Sequence, residues 1–197
     1  ELTSEEILDK SISFHDPKNQ WGTLSQHLFF DEHRSDGSIR KTSILLDLPN
    51  STYEVYRQNQ YSYKMIQDQI QIDSGEVTLE RAKTIKNYYL YLWGLPMKLK
   101  DPGTKLGPWK KSSWQQHESL EIAIPYDKDT WYFHFDPNSF EMIGYQFFTD
   151  AAQSKGETIF LEGLHAVADM KIPKSRSWYT LPEDEYLGRD VLINAKK

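Results

Sequence analysis

The stretch Tyr88-Tyr89-Leu90-Tyr91-Leu92-Trp93-Gly94-Leu95-Pro96 decides how this 197-residue chain is read. It closes a segment, 78–93, in which Leu79, Ala82, Ile85, Tyr89 and Leu92 recur every three or four positions, the period of an α-helix. Gly94 and Pro96 supply the stop. The first half of the segment is amphipathic, with Glu80, Arg81, Lys83 and Lys86 outside. Its last six residues, Tyr88 to Trp93, are apolar or aromatic on every side. A helix end of that kind must be enclosed by protein, partner or ligand.

What flanks this helix is strand-like on both sides. Upstream, Thr3-Ser4-Glu5-Glu6 caps a first helix over Ser4 to Phe14 that Asp16-Pro17 ends. From Trp21 the period becomes two, Ser35-Asp36-Gly37 makes a hairpin turn, and the return strand runs over 39–48. Short strands follow near 53–55, 61–65 and 70–72. Downstream, Gly107-Pro108 continues an irregular link into Trp109 and Trp114. Strands then return over 117–125, 130–135, 140–148, 157–165, 169–180 and 187–195. About ten antiparallel strands with two main helices form a closed barrel, a sandwich, or a curved open sheet with helices in its concavity. An aromatic helix between two groups of hairpins favours the last, a mainly β (α+β) half-barrel. No repeat, low-complexity tract or linker divides the chain, so 1–197 is read as a single domain.

Composition narrows the function. Apolar residues at 38% and charged residues at 26% are ordinary for a globular protein, whereas aromatics reach 14%. Tyr and Trp join an apolar body to a polar tip, which suits half-buried strand faces and pockets that must also hydrogen-bond. A net charge of -6 leaves no basic surplus for nucleic acid. There is no cysteine, which excludes disulfides and thiolate chemistry. No apolar run approaches the roughly 20 residues of a membrane helix. The chain opens on Glu1 without Met, and a removed secretion or lipoprotein signal is the expectation.

Few residues announce chemistry. His134 and Asp136 lie two apart near a strand end, and His165 on another strand would complete a facial triad for a metal-dependent enzyme. Against this, Asp136 precedes Pro137 in what reads as a turn. Neither a Gly-x-Ser-x-Gly elbow nor a Gly-rich phosphate loop is present, and no cofactor is expected. Trp21, Trp131 and Trp178 fall in expected strands, and the six Trp residues leave a glycan-binding module as a further alternative. His15 at the end of the first helix is explained by the helix dipole, and Glu76, Glu80 and Arg81 by capping and surface pairing.

The strings Glu80 to Lys83, Asn87 to Gly103, Pro125 to Phe133 and Met170 to Lys174, with Phe14-His15-Asp16-Pro17, resemble a family of uncharacterised envelope proteins of Gram-negative bacteria. The architecture is similar to the lipoprotein-carrier half-barrel, a curved antiparallel sheet with helices across its concave face. That resemblance implies a periplasmic or outer-membrane-anchored protein, with lipid or lipoprotein as partner and a cavity for acyl chains. The expected function is therefore noncatalytic binding of an apolar or amphiphilic ligand. Tyr89, Leu92, Trp93, Leu95 and Met97 are the expected lining.

Overall fold

The computed structural model describes residues 2–150 and 152–197; Glu1, on which the expectation of a processed N-terminus rests, lies outside them. Helix α1 spans Ser4–His15. Strands β1 (Ser25–Arg34), β2 (Ile39–Asp47), β3 (Thr52–Arg57), β4 (Tyr61–Ile66) and β5 (Gln69–Gly75) precede helix α2 (Leu79–Leu92). After α2 come β6 (Trp109–Trp114), β7 (His117–Pro125), β8 (Thr130–Phe135), β9 (Met142–Phe148), β10 (Gly156–Val167), β11 (Met170–Leu181) and β12 (Tyr186–Lys196). All twelve strands form one open sheet in the order β5-β4-β3-β2-β1-β12-β11-β10-β9-β8-β7-β6, every pairing antiparallel.

This order makes the sheet two meanders joined where β1 pairs with β12, so β5 and β6 are its opposite edges. Flat, twelve strands would span about 50 Å at the usual strand spacing. Helix α2, about 21 Å long at the α-helical rise, lies in the connection from one edge to the other. The sheet curls, and α2 lies across its concave face, packed against strands from both meanders. The alternating strand positions that point inward bury Leu28 and Phe30 on β1, Ile44 and Leu46 on β2, Tyr63 and Met65 on β4, and Phe133 and Phe135 on β8. They meet Ile7 and Leu8 of α1 and Ile85, Tyr89 and Leu92 of α2 in one core. The Trp93 ring lies 4.5 Å from Phe30, centroid to centroid.

The half-barrel with two helices on its concave side is as the periodicities predict, with three corrections. The strands number twelve, because Trp109–Trp114 is an edge strand and not an irregular link. Trp-Lys-Lys-Ser-Ser-Trp lacks an apolar alternation because it borders solvent on one side, and lysines on an edge oppose pairing with another chain. Trp21 sits in a short 3₁₀ turn, Trp21–Thr23. Its ring packs so close over Gly94 that a Cβ there would meet it and the Leu90 carbonyl.

The third correction concerns His15, which is fully buried rather than placed at a solvated helix end. Its Nδ1 meets the Lys171 carbonyl on β11 at 2.6 Å, and its Nε2 accepts the Met142 N–H of β9 at 3.0 Å. One ring nitrogen donates and the other accepts, which is the neutral tautomer. Burial pushes its pKa down to about 4, so the dipole explanation, which requires imidazolium, does not apply. Asp16 accepts the backbone N–H groups of Gln20 and Trp21 at 2.7 and 2.9 Å. The His15-Asp16 pair thus fixes α1 to the sheet and shapes the turn after it.

Candidate functional site

A row of charged and phenolic groups crosses the concave face beneath α2. On β1, Glu32 is 3% exposed, and it accepts hydrogen bonds from Arg40 Nε at 2.6 Å, from Thr42 Oγ1 at 2.9 Å and from the Tyr89 hydroxyl. Arg57 donates to the Tyr89 hydroxyl at 3.0 Å and to Tyr61 at 2.9 Å. Directly opposite Glu32 in the β1–β12 pairing, Asp190 of β12 accepts a hydrogen bond from the Tyr88 hydroxyl at 2.6 Å. Arg176, fully buried on β11, donates to the Leu92 carbonyl at 2.7 Å and stacks 3.7 Å from the Trp93 ring centroid. Sheet side chains therefore grip α2 at Tyr88, at Tyr89 and at its C-terminal turn, and Tyr63 of β4 holds its first turns by donating to the Ala82 carbonyl at 3.1 Å. Burial holds the Asp190 carboxyl above its ordinary range, against the Tyr88 hydrogen bond that pulls it down. It drives the Tyr88 hydroxyl well above its own range, which keeps it a donor.

On the solvent side of this row a cleft opens between α2 and the strand ends. One compartment, about 310 Å³, is lined by Arg34 and Arg40 of the β1–β2 hairpin, Arg57 of β3, Arg81, Thr84, Ile85 and Tyr88 of α2, and the carboxyls of Glu32 and Asp190. The adjoining compartment, about 270 Å³, shares Glu32, Arg34, Arg40, Tyr88 and Asp190 and adds His33, Glu157, Trp178, Leu187 and Gly188. The Tyr88 and Trp178 rings stack 5.9 Å apart and, with Leu187, wall the smaller compartment, whereas Arg57 and Arg81 line only the larger and Arg34 and Arg40 border both. The larger compartment reaches the lower end of the size range of small-molecule sites, and the two together fall within it.

The residues expected to line a pocket lie elsewhere. Tyr89, Leu92, Trp93, Leu95 and Met97 are all at most 6% exposed within the packed core, and none lines either compartment. The most apolar side chains of α2 fill the core because water exclusion acts on them most strongly. The cleft is left to the half-polar face, Arg81, Thr84, Ile85 and Tyr88. Arg81, read from the sequence as surface pairing, is the residue whose role changes most. The clustering of arginine on the β1–β2 hairpin and on β3 was visible as single residues, but only strand register brings them together.

The alternative metal site of His134, Asp136 and His165 is not assembled. His134 on β8 is 2% exposed, is stacked under Trp114 at 4.1 Å and meets Ser119 Oγ at 3.1 Å. Asp136 caps its own turn through the N–H groups of Asn138 and Ser139. His165 stands on β10, with β9 between β8 and β10 in the sheet. Among the described residues no group of three or more His, Asp or Glu side chains is placed to hold a metal. Of the tryptophans offered as a sugar platform, Trp131 stacks against Phe133, Tyr145 and Phe147, and only Trp178 reaches the cleft.

Solved structures share this architecture. The chain is similar over its full length to a LolA-superfamily protein from Nitrosomonas europaea, at a TM-score of 0.60, covering 94% of that chain at 9% identity. A domain from Vibrio parahaemolyticus described as an outer membrane lipoprotein-sorting protein aligns over 97% of this chain and 90% of its own, at a TM-score of 0.55 and 8% identity. At such identities the likeness concerns the fold alone. No curated protein matches the sequence. Residues 1–195 match the profile of DUF6503, a family of unknown function, and the chain belongs to that family.

Proposed function

We propose that this protein is a noncatalytic binding protein of the cell envelope, and that an amphiphilic ligand, a lipid or the lipidated end of a protein, enters the cleft between α2 and the sheet. The observation that carries this reading is the mixed lining of the cleft: arginine and carboxylate side chains border both compartments, and the Tyr88 and Trp178 rings with Leu187 wall one of them. Such a wall suits a molecule with a polar head and an apolar remainder. The half-barrel shared with a lipoprotein-sorting domain supports an envelope location and a lipid class of ligand. No helix of the described residues is long and apolar enough to cross a membrane. Tyr89, Leu92, Trp93, Leu95 and Met97 are proposed as the packed floor under the cleft, holding α2 at the distance that keeps it open. Residues 1–197 are proposed to act as one domain, since a single sheet runs from β1 to β12.

Mass spectrometry of an organic extract of the purified protein, with displacement of a fluorescent fatty acid, tests the reading. A stoichiometric acyl species, or saturable displacement weakened at least tenfold in Trp178→Ala, is expected. A clean extract together with no saturable probe binding would reject it.

A further inference from the structure

The chain holds six arginines and 17 lysines, and four of the six arginines, Arg34, Arg40, Arg57 and Arg81, line the 310 Å³ compartment, whereas no lysine does. In a protein of net charge -6 this selection is chemical. A planar guanidinium presents paired N–H donors that match the oxygens of phosphate and carboxylate groups, which an ammonium on a flexible stem does not. Two carboxylates share the compartment, and both are engaged: Glu32 by Arg40, Arg57, Thr42 and Tyr89, and Asp190 by Tyr88. Arg34 and Arg81 have no carboxylate partner among the described residues. Arg57, 6% exposed, keeps a buried Nε–H with no hydrogen-bond partner there, although such donors are ordinarily satisfied. The exposed guanidinium groups of Arg34 and Arg81, without carboxylate partners among the described residues, thus line the same cavity as the buried Arg57.

We propose that this compartment is an oxyanion subsite, in which Arg34, Arg57 and Arg81 receive the phosphate of an anionic amphiphile while Arg40 holds Glu32 out of its way. The inference deepens the amphiphile reading by naming the head group, and it rests on that reading only for the apolar part of the ligand. Phosphate suits the compartment because three guanidinium groups from three separate elements, β1, β3 and α2, surround it, as a tetrahedral anion requires and a planar carboxylate does not. Glu157 faces the adjoining compartment, beside Trp178, where the apolar part would lie.

Calorimetric titration of the full chain below the micelle concentration compares dihexanoyl phosphatidylglycerol, dihexanoyl phosphatidylcholine and inorganic phosphate, for the wild type and for Arg34→Gln/Arg81→Gln. Both arginines are exposed and unpaired, so the thermal midpoint of the double variant should be unchanged. Expected is at least tenfold tighter binding of the phosphatidylglycerol than of the phosphatidylcholine, and loss of that preference in the double variant. Weak competition by inorganic phosphate would assign the anion to a lipid head group. Tight binding of inorganic phosphate alone, lost in the double variant, would keep the subsite, assign it to a free phosphorylated solute and discard the amphiphile. Equal affinity for the two lipids, or a preference unchanged by the double substitution, would overturn the subsite and leave the amphiphile reading standing. Binding of none of the three probes would overturn both.

Discussion

Individual side chains in this protein divide sharply between packing and polar duty. Trp93 is 1% exposed, against Phe30 and Arg176, so Trp93→Ala should cost roughly 3 to 5 kcal/mol in urea unfolding. A loss under about 1 kcal/mol would mean that the ring lines a cavity instead. Gly144 on β9 lies directly under the Trp114 ring, where an added Cβ would collide with it. Gly144→Ala should therefore destabilise by about 1 to 3 kcal/mol and alter tryptophan emission as Trp114 leaves His134. His15 and His134 are both buried neutral, with pKa pushed down to about 4, so each favours folding above pH 6.5 and loses that contribution as pH falls from 6.5 to 4. The loss is on the order of 3 kcal/mol per histidine from the size of the shift. Partly buried carboxyls raised above their usual range by desolvation, Glu141, Glu157 and Asp190, act in the opposite sense. The clean test is thus a difference: the stability gap between wild type and His15→Gln should shrink steadily from pH 6.5 to 4, and a constant gap would contradict a neutral buried His15.

Among the elements, the two helices were the most legible, since their caps and periodicity are local. Thr3 caps α1 in a capping box with Glu6, and Thr78 caps α2 by accepting the Arg81 N–H. Thr78→Ala should cost about 0.5 to 2 kcal/mol. It should speed amide exchange in the first turn of α2 and spare the last turn, which Arg176 holds through the Leu92 carbonyl. Uniform exchange along the helix would show that the sheet's grip does not divide it. Strand β6 escaped notice because an edge strand buries too little to leave an alternating pattern. The same reason hides the cleft: Arg34, Arg40 and Arg57 are scattered along the chain, and nothing local says that strand pairing and the path of α2 will set them around one space.

At the scale of the whole molecule, the α2 connection crosses the concave face of a curled sheet and joins its two meanders from edge to edge. The half-barrel follows from hairpins on either side of one aromatic helix, and that much is written in periodicity. Where the cavity lies is not, because it depends on which face of α2 the core takes first. Hydrophobic burial claims Tyr89, Leu92 and Trp93, and the face left over, Arg81 to Tyr88, becomes the wall of the cleft. In the proposed function this remaining space receives the ligand. Titrating ¹⁵N-labelled protein with dihexanoyl phosphatidylglycerol, while following the Trp178 indole signal and the side-chain signals of Arg34, Arg57 and Arg81, tests it most directly. Saturable shifts at these four residues are expected, with the indole of Trp114, which stacks on His134 and lines neither compartment, unmoved; shifts absent from the four, or centred on Trp114, would contradict the proposed site.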